Sequence, residues 1–214
     1  MKVNEVFRTM QVLVLSSKEQ RLELVGESNV PGIEWAEELD PNKRAEVVID
    51  QCFDNSVGRA ESLRKTGARL IVVNSVIETL ADSDPSFVRI NGWNTFLKGE
   101  TIEAAALDES RQKEAEEVFS LFQKKTEWLA DEPGFVTPRI ISMIVNEAYF
   151  ALSEGVSTKE EINTAMKLGT NYPYGPFEWA EKIGLRNIAS LLQKLAEKKD
   201  SYAPCALLLL EAGL

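Results

Sequence analysis

Residues 131–185 read DEPGFVTPRIISMIVNEAYFALSEGVSTKEEINTAMKLGTNYPYGPFEWAEKIGL. Asp131-Glu132-Pro133-Gly134 is turn-forming and marks a boundary. Thr137 is placed to cap a helix with Pro138 at its first position, where a missing N–H costs nothing. Ile140, Ile141, Ile144, Val145, Ala148, Tyr149 and Leu152 then recur at helical spacing, and Gly155 stands past the end. Ser157 and Glu160 read as a capping-box pair opening a second helix that stops near Gly169. Pro176 opens a third, which Gly184 ends. Leu185 to Lys199 is a fourth, with Ile188, Leu191, Leu192 and Leu195 in phase, and the tail from Pro204 to Leu210 is too apolar to be left in water. The chain from 132 to 214 is therefore expected to be all-helical.

The residues before it alternate between strand and helix patterns. Gln11–Leu15, Ala45–Asp50, Ala68–Val73, Phe87–Ile90 and Thr101–Leu107 are short apolar runs of strand length. Arg21–Val25 alternates and reads as a second strand after Leu15. Ser56–Thr66 and Glu109–Lys125 read as helices, the latter with Ala115, Val118, Phe119 and Phe122 on one stripe. That alternation predicts a mostly parallel sheet covered on both faces over 1–131, an α/β domain ahead of the all-α one. The chain has no internal repeat.

Composition narrows the chemistry. Twenty-four Lys and Arg face 34 Asp and Glu, a net charge of −10, which argues against nucleic acid or an anionic membrane as partner. There is no histidine at all, so no imidazole base, metal ligand or pH switch exists in the chain. Cys52 and Cys205 read as reduced, buried thiols of a cytoplasmic protein, with a long-range disulfide as the alternative, and no metal site is expected. The N-terminus has neither a signal-peptide pattern nor a membrane span.

The stretch quoted above resembles the C-terminal domain of the L-3-hydroxyacyl-CoA dehydrogenases. Gly134-Phe135, Arg139, Gly155-Val156, Ala165, Gly169 and Gly175-Pro176-Phe177-Glu178 match that family's motifs in order. The physical reading of Gly175-Pro176 alone is a turn followed by a helix start. Residues 46–56, 68–75 and 87–105 are similar, more faintly, to the family's nucleotide-binding domain. The resemblance implies a Rossmann-like first domain, NAD as cofactor, 3-hydroxyacyl-CoA chemistry in fatty-acid metabolism, and pairing through the helical domain.

Carried over residue by residue, the resemblance puts Asn91 at the position of the family's catalytic His and Glu103 at that of the Glu that orients it. The family Ser falls on Val76, with Ser75 one position away as a substitute donor, and the family Asn falls on Pro138. Asp50 and Asp54 line the loop equivalent to the cofactor loop; Lys98, Lys124 and Lys125 are candidates to meet CoA phosphates, with solvated surface lysines as the default reading. An Asn amide accepts no proton at neutral pH, and neither Val76 nor Pro138 offers a donor. After Leu15 comes Ser16-Ser17-Lys18-Glu19-Gln20, with no glycine for a phosphate turn. If Arg21–Val25 is a strand, five residues cannot make a parallel crossover, so the first helix is expected to be missing or cut to one turn that Ser16 and Glu19 would cap.

The first expectation is a reduced Rossmann-like domain followed by a dehydrogenase-type helical domain, in a protein without ordinary hydride transfer and with no NAD bound. Such a protein would be a binding or assembly relative, a pseudoenzyme, that pairs with itself through 132–214 and has acyl-CoA as a candidate ligand. The alternative is an active dehydrogenase with a non-standard site. A different reaction using Glu103, Asp50 or Asp54 is a third.

Overall fold

A computed structural model describes residues 10–26, 28, 30–40 and 42–214. The chain divides into two compact units, Met1–Glu132 and Pro133–Leu214. The first contains β1 (Val12–Leu15), α1 (Lys18–Val25), β2 (Ile33–Ala36), β3 (Val47–Asp50), α2 (Val57–Lys65), β4 (Leu70–Asn74), β5 (Val88–Ile90), β6 (Thr101–Ala105), α3 (Glu109–Leu121) and β7 (Lys125–Trp128). They form one seven-stranded sheet in the order β2-β1-β3-β4-β5-β6-β7. Every neighbouring pair is parallel except β5 and β6.

The apolar runs make buried strands because both faces of the sheet are covered. Val12, Val14, Val47, Ile49, Val72 and Val88 point to one face, where Leu24 of α1 and Ala115, Val118 and Phe119 of α3 close over them. Leu13, Leu15, Val48, Ile71 and Val73 point to the other, under Ala60 and Leu63 of α2 with Phe53 and Phe87. Burying each large side chain contributes about 1.5–3 kcal/mol.

Strand order reverses between β1 and β3, the switch point of a dinucleotide-type sheet. The full fold has three strands on the β1 side of that point; among the described residues only β1 and β2 lie there, with β2 outermost. From β2 the chain returns to β3 through residues 37–46, which form no helix or strand among those described. Leu39 and Ala45 of this connection pack on the α2 face, doing a helix's work of covering it.

The reduction thus lies after β2 and not where the sequence reading put it. Arg21–Val25 is helix, not strand: α1 runs eight residues from Lys18 to Val25. Parallel pairing of β1 with β2 completes a βαβ unit. The cap is Ser17 with Gln20, not Ser16 with Glu19: Ser17 Oγ accepts from Gln20 N (3.2 Å), and Gln20 Oε1 accepts from Ser17 N (3.0 Å). Alternation misled because the apolar residues are few: Leu24 alone is buried in α1, and Leu22 is exposed. Charged helix-formers and a reciprocal cap decide the local structure instead. Two strands, β2 and β7, were not foreseen. The helix expected to reach Lys125 stops at Leu121, Gln123 turns through a left-handed φ of 57°, and β7 begins.

The second unit contains α4 (Thr137–Ser153), α5 (Lys159–Thr170), α6 (Pro176–Ile183), α7 (Leu185–Ala196), a 3-10 turn at Asp200–Tyr202 and α8 (Ala206–Ala212). Helix α4 starts at Thr137 with no side-chain cap and Pro138 in its first turn. The capping box of α5 is Thr158 with Glu161, one residue beyond the expected pair. Ile188, Leu191, Leu192 and Leu195 are buried as their phase requires, and so are Cys205 and Leu208 of the tail.

The Gly-Pro-Phe-Glu stretch is a joint between α5 and α6. A Cβ on Gly175 would lie 2.5 Å from Asn163 Cα, so only glycine fits. Asn163 Oδ1 accepts from Phe177 N (2.9 Å), Glu178 Oε2 accepts from Gly175 N (2.8 Å), and Lys167 pairs with Glu178. Phe177 meets Tyr149 edge-on at 5.1 Å. Among the described residues no helix is long and apolar enough to cross a membrane.

Candidate functional site

The C-terminal ends of β1, β3, β4 and β5 bring most of the singled-out residues to one end of the first unit's sheet. Asn91 follows β5 and is 3% exposed. The antiparallel β6 lies beside it, so Asn91 N donates to Glu103 O (3.0 Å). Its side chain repeats the link, Nδ2 donating to Glu103 Oε2 (3.0 Å), while Oδ1 accepts from Trp93 N (3.3 Å). The structure therefore joins the two residues that the sequence paired across 12 positions. The pair is amide to carboxylate. An amide nitrogen has no available lone pair and its oxygen is not basic near neutrality, so Asn91 cannot take up a proton.

The other singled-out residues are committed elsewhere. Ser75 is 1% exposed, and its hydroxyl donates toward Asn55 Oδ1 (2.6 Å) and Glu78 O (2.9 Å). Val76 is buried. Asp50 is fully buried and accepts from Arg59 Nε (2.7 Å) and Cys52 N (3.0 Å). Burial pushes its carboxyl above the usual range despite the Arg59 guanidinium. Asp54 accepts from Ser56 N (2.9 Å) ahead of α2, and this bond holds its carboxyl below the usual range. Lys124 Nζ donates to Leu97 O (2.8 Å) and Gly99 O (2.7 Å), so it secures a loop and is not the unengaged cation a CoA phosphate would need. Burial lowers its pKa.

Residues not singled out do much of the joining. Asn74, at the end of β4, donates from Nδ2 to Gln51 O (3.1 Å) and accepts at Oδ1 from Gly92 N (3.0 Å). A Cβ on Gly92 would come within 2.7 Å of Asn74 Cγ, so this crossing requires glycine. Arg89 of β5, fully buried, ion-pairs with Asp131 (2.5 Å) and donates to Ser75 O (3.0 Å) and Glu132 O (2.6 Å). No local pattern announces such contacts. Only the Ser17-x-x-Gln20 spacing was a readable signal.

The fold type implies a dinucleotide at the switch point, and the residues there do not fit one. The turn after β1 is Ser16-Ser17, without glycine. The N–H of Ser17, at the entrance of α1, is already capped by Gln20 Oε1, and Gln20 Nε2 crosses to Gln51 O (3.0 Å). Among the described residues no group of three His, Cys, Asp or Glu side chains is placed to hold a metal.

Comparison with known proteins agrees with the helical motifs. Residues 134–212 match the family described as 3-hydroxyacyl-CoA dehydrogenase, C-terminal domain. The 3-hydroxyadipyl-CoA dehydrogenase of Escherichia coli is 41% identical over 120 residues, which are 53% of this chain and 25% of that protein. A probable 3-hydroxybutyryl-CoA dehydrogenase of Bacillus subtilis is 26% identical over 210 residues, 90% of this chain and 73% of that protein. The crystal structure of (S)-3-hydroxybutyryl-CoA dehydrogenase from Ralstonia eutropha shares the fold, with a TM-score of 0.73 at 20% identity over 96% of this chain and 95% of that one. Residues 134–212 thus match the 3-hydroxyacyl-CoA dehydrogenase C-terminal domain, and the chain as a whole shares the fold of a Rossmann-like unit followed by that helical domain.

Proposed function

We propose that this protein does not carry out ordinary NAD-dependent oxidation of 3-hydroxyacyl-CoA and serves as a binding or assembly member of its family. The observation that carries this reading is the Asn91–Glu103 pair: the place of the base is held by a buried amide. A positioned general base is worth roughly 10²–10⁴ in rate. The engaged hydroxyl of Ser75 and the missing glycine turn remove further contributions.

The names of the relatives favour the alternative, an active dehydrogenase with a non-standard site in which Glu103 is the base. An assay of purified protein with NAD and short 3-hydroxyacyl-CoAs separates the two. The expected result is no turnover above background, with Asn91→His alone not restoring it. Robust turnover lost in Glu103→Ala sinks the proposal. Acyl-CoA remains the ligand class we assign, and equilibrium binding of several acyl-CoAs tests it.

A second copy of the chain is the partner we assign, through the helical unit. Helix α5 has no fully buried residue, and Leu168, Val156, Ile140 and Leu210 are exposed at 83%, 69%, 50% and 74%. Apolar surface of this kind marks contact sites. Phe150, 38% exposed, is available as an anchor, whereas Tyr149 and Trp179 are buried. Cys52 and Cys205 are both free thiols, which supports a reducing, cytoplasmic setting, although only Cys205 is buried as expected and Cys52 is exposed.

A further inference from the structure

We infer that α1 is an internal staple that takes the place of a dinucleotide at the switch point. Two side chains one turn apart on this helix reach across the crevice. Gln20 Nε2 donates to Gln51 O (3.0 Å) at the end of β3, and Glu23 Oε2 accepts from Thr95 N (2.6 Å), 72 residues away in the chain. Asn74 closes the ring, bonded to Gln51 O on one side and to Gly92 N on the other.

Two of the α1 side chains place an acceptor oxygen on a backbone N–H, as an anionic ligand would. Gln20 Oε1 sits on the Ser17 N–H at the helix entrance, as a phosphate oxygen would. The Glu23 carboxylate takes a backbone amide of the loop after β5. Gln51 N continues the ladder by donating to Leu15 O, so the alternation of Val47 and Ile49 carries the Gln51 side chain to the α1 face. Gln51 is 2% exposed, and neither polar atom of its carboxamide has a partner among the described residues.

Thr95 shows that the staple holds the backbone. Its φ is 84°, a left-handed value that a β-branched residue adopts only when its surroundings impose it. The backbone amide of this same residue is the one that donates to Glu23.

This inference concerns binding and is independent of Asn91, so it fails separately from the proposed function. The test uses the full chain and amide hydrogen exchange by NMR. Glu23→Ala should speed exchange at the Thr95 amide about tenfold, and Gln20→Ala should do the same at Ser17, while Val14 and Ile49 in the sheet are unchanged. An unchanged Thr95 or Ser17 rate in its variant overturns the staple. In parallel, titration of the wild-type protein with NADH, read by cofactor fluorescence, should show no saturation up to about 1 mM. Saturable binding below that concentration overturns the inference even if no substrate is turned over; turnover would instead overturn the proposed function.

Discussion

Gly175→Ala tests whether the most recognisable motif of the chain is architecture or chemistry. The added Cβ would lie 2.3 Å from Asn163 Oδ1 and 2.5 Å from Asn163 Cα. A side-chain oxygen can rotate away, but the Cα belongs to helix α5. To reach ordinary contact of about 3.5 Å, α5 and α6 must part by about 1 Å. Overpacking of this kind costs roughly 1–3 kcal/mol. Separation also pulls Asn163 Oδ1 from the Phe177 N–H it holds at 2.9 Å, a further ~1 kcal/mol. Each kcal/mol shifts Tm by roughly 4–8 °C in a domain of this size, so a total of about 2–4 kcal/mol lowers Tm by about 8–32 °C. Gly169→Ala is the control: nothing lies within 4 Å of its Cβ, and the residue is in helix α5. It should raise Tm slightly, since alanine is favoured by about 0.5–1 kcal/mol in a helix. Thermal melting by circular dichroism reads both. A Gly175→Ala protein melting within about 2 °C of wild type would refute the joint. If it also lost acyl-CoA binding, the motif would be a ligand contact.

Arg89→Met should destabilise the first unit by about 3 kcal/mol, because it takes the guanidinium from the Asp131 carboxylate, which keeps the Leu80 N–H, and from the Ser75 and Glu132 carbonyls; urea titration showing under ~1 kcal/mol would contradict this. In the second unit, Glu211 is held below the usual carboxylate range by Lys159 and then by Tyr149. Its contribution is complete above the unfolded value of 4.5 and is lost as pH falls through the lower folded value, so Glu211→Gln should flatten the acid limb of a pH–Tm profile. Tyr149 is pushed up, by burial and then by its hydrogen bond to Glu211, so stability is lost as pH rises above the unfolded value of 10, and Tyr149→Phe should flatten that alkaline limb. Light scattering at micromolar concentration should give twice the chain mass of 23.9 kDa; a mass near the single chain refutes pairing.

What the sequence disclosed follows from how local each signal is. Helices α4 and α6 were legible because a 3.6-residue phase, a first-turn proline and a glycine at or just past the end lie together, and α7 because its apolar phase is strong. The buried strands β1, β3 and β4 were legible because both faces are covered and the apolar run is continuous. Edge strands β2 and β7 carry weak signals, since Glu34 and Glu127 face solvent and only part of each strand meets the core. Helix α1 failed for the opposite reason: one buried residue leaves no phase to read, and the informative pair was Ser17 with Gln20.

At the site the distinction is sharper. Asn91 and Glu103 were found because an ordered set of motifs fixed their spacing, and the antiparallel β5–β6 pairing brings them together. The roles of Gln20, Glu23, Asn74 and Thr95 depend on contacts spanning 18 to 72 residues. Such contacts exist only once the sheet has brought its strand ends together, and no periodicity encodes them. The absence of histidine is a fact of composition that removes one reaction role outright. A side chain accepting from a backbone N–H in the place of a ligand is a fact of the folded state. Losing the base and stapling the crevice are therefore separable changes, and exchange at Thr95 reports on the second without reference to the first.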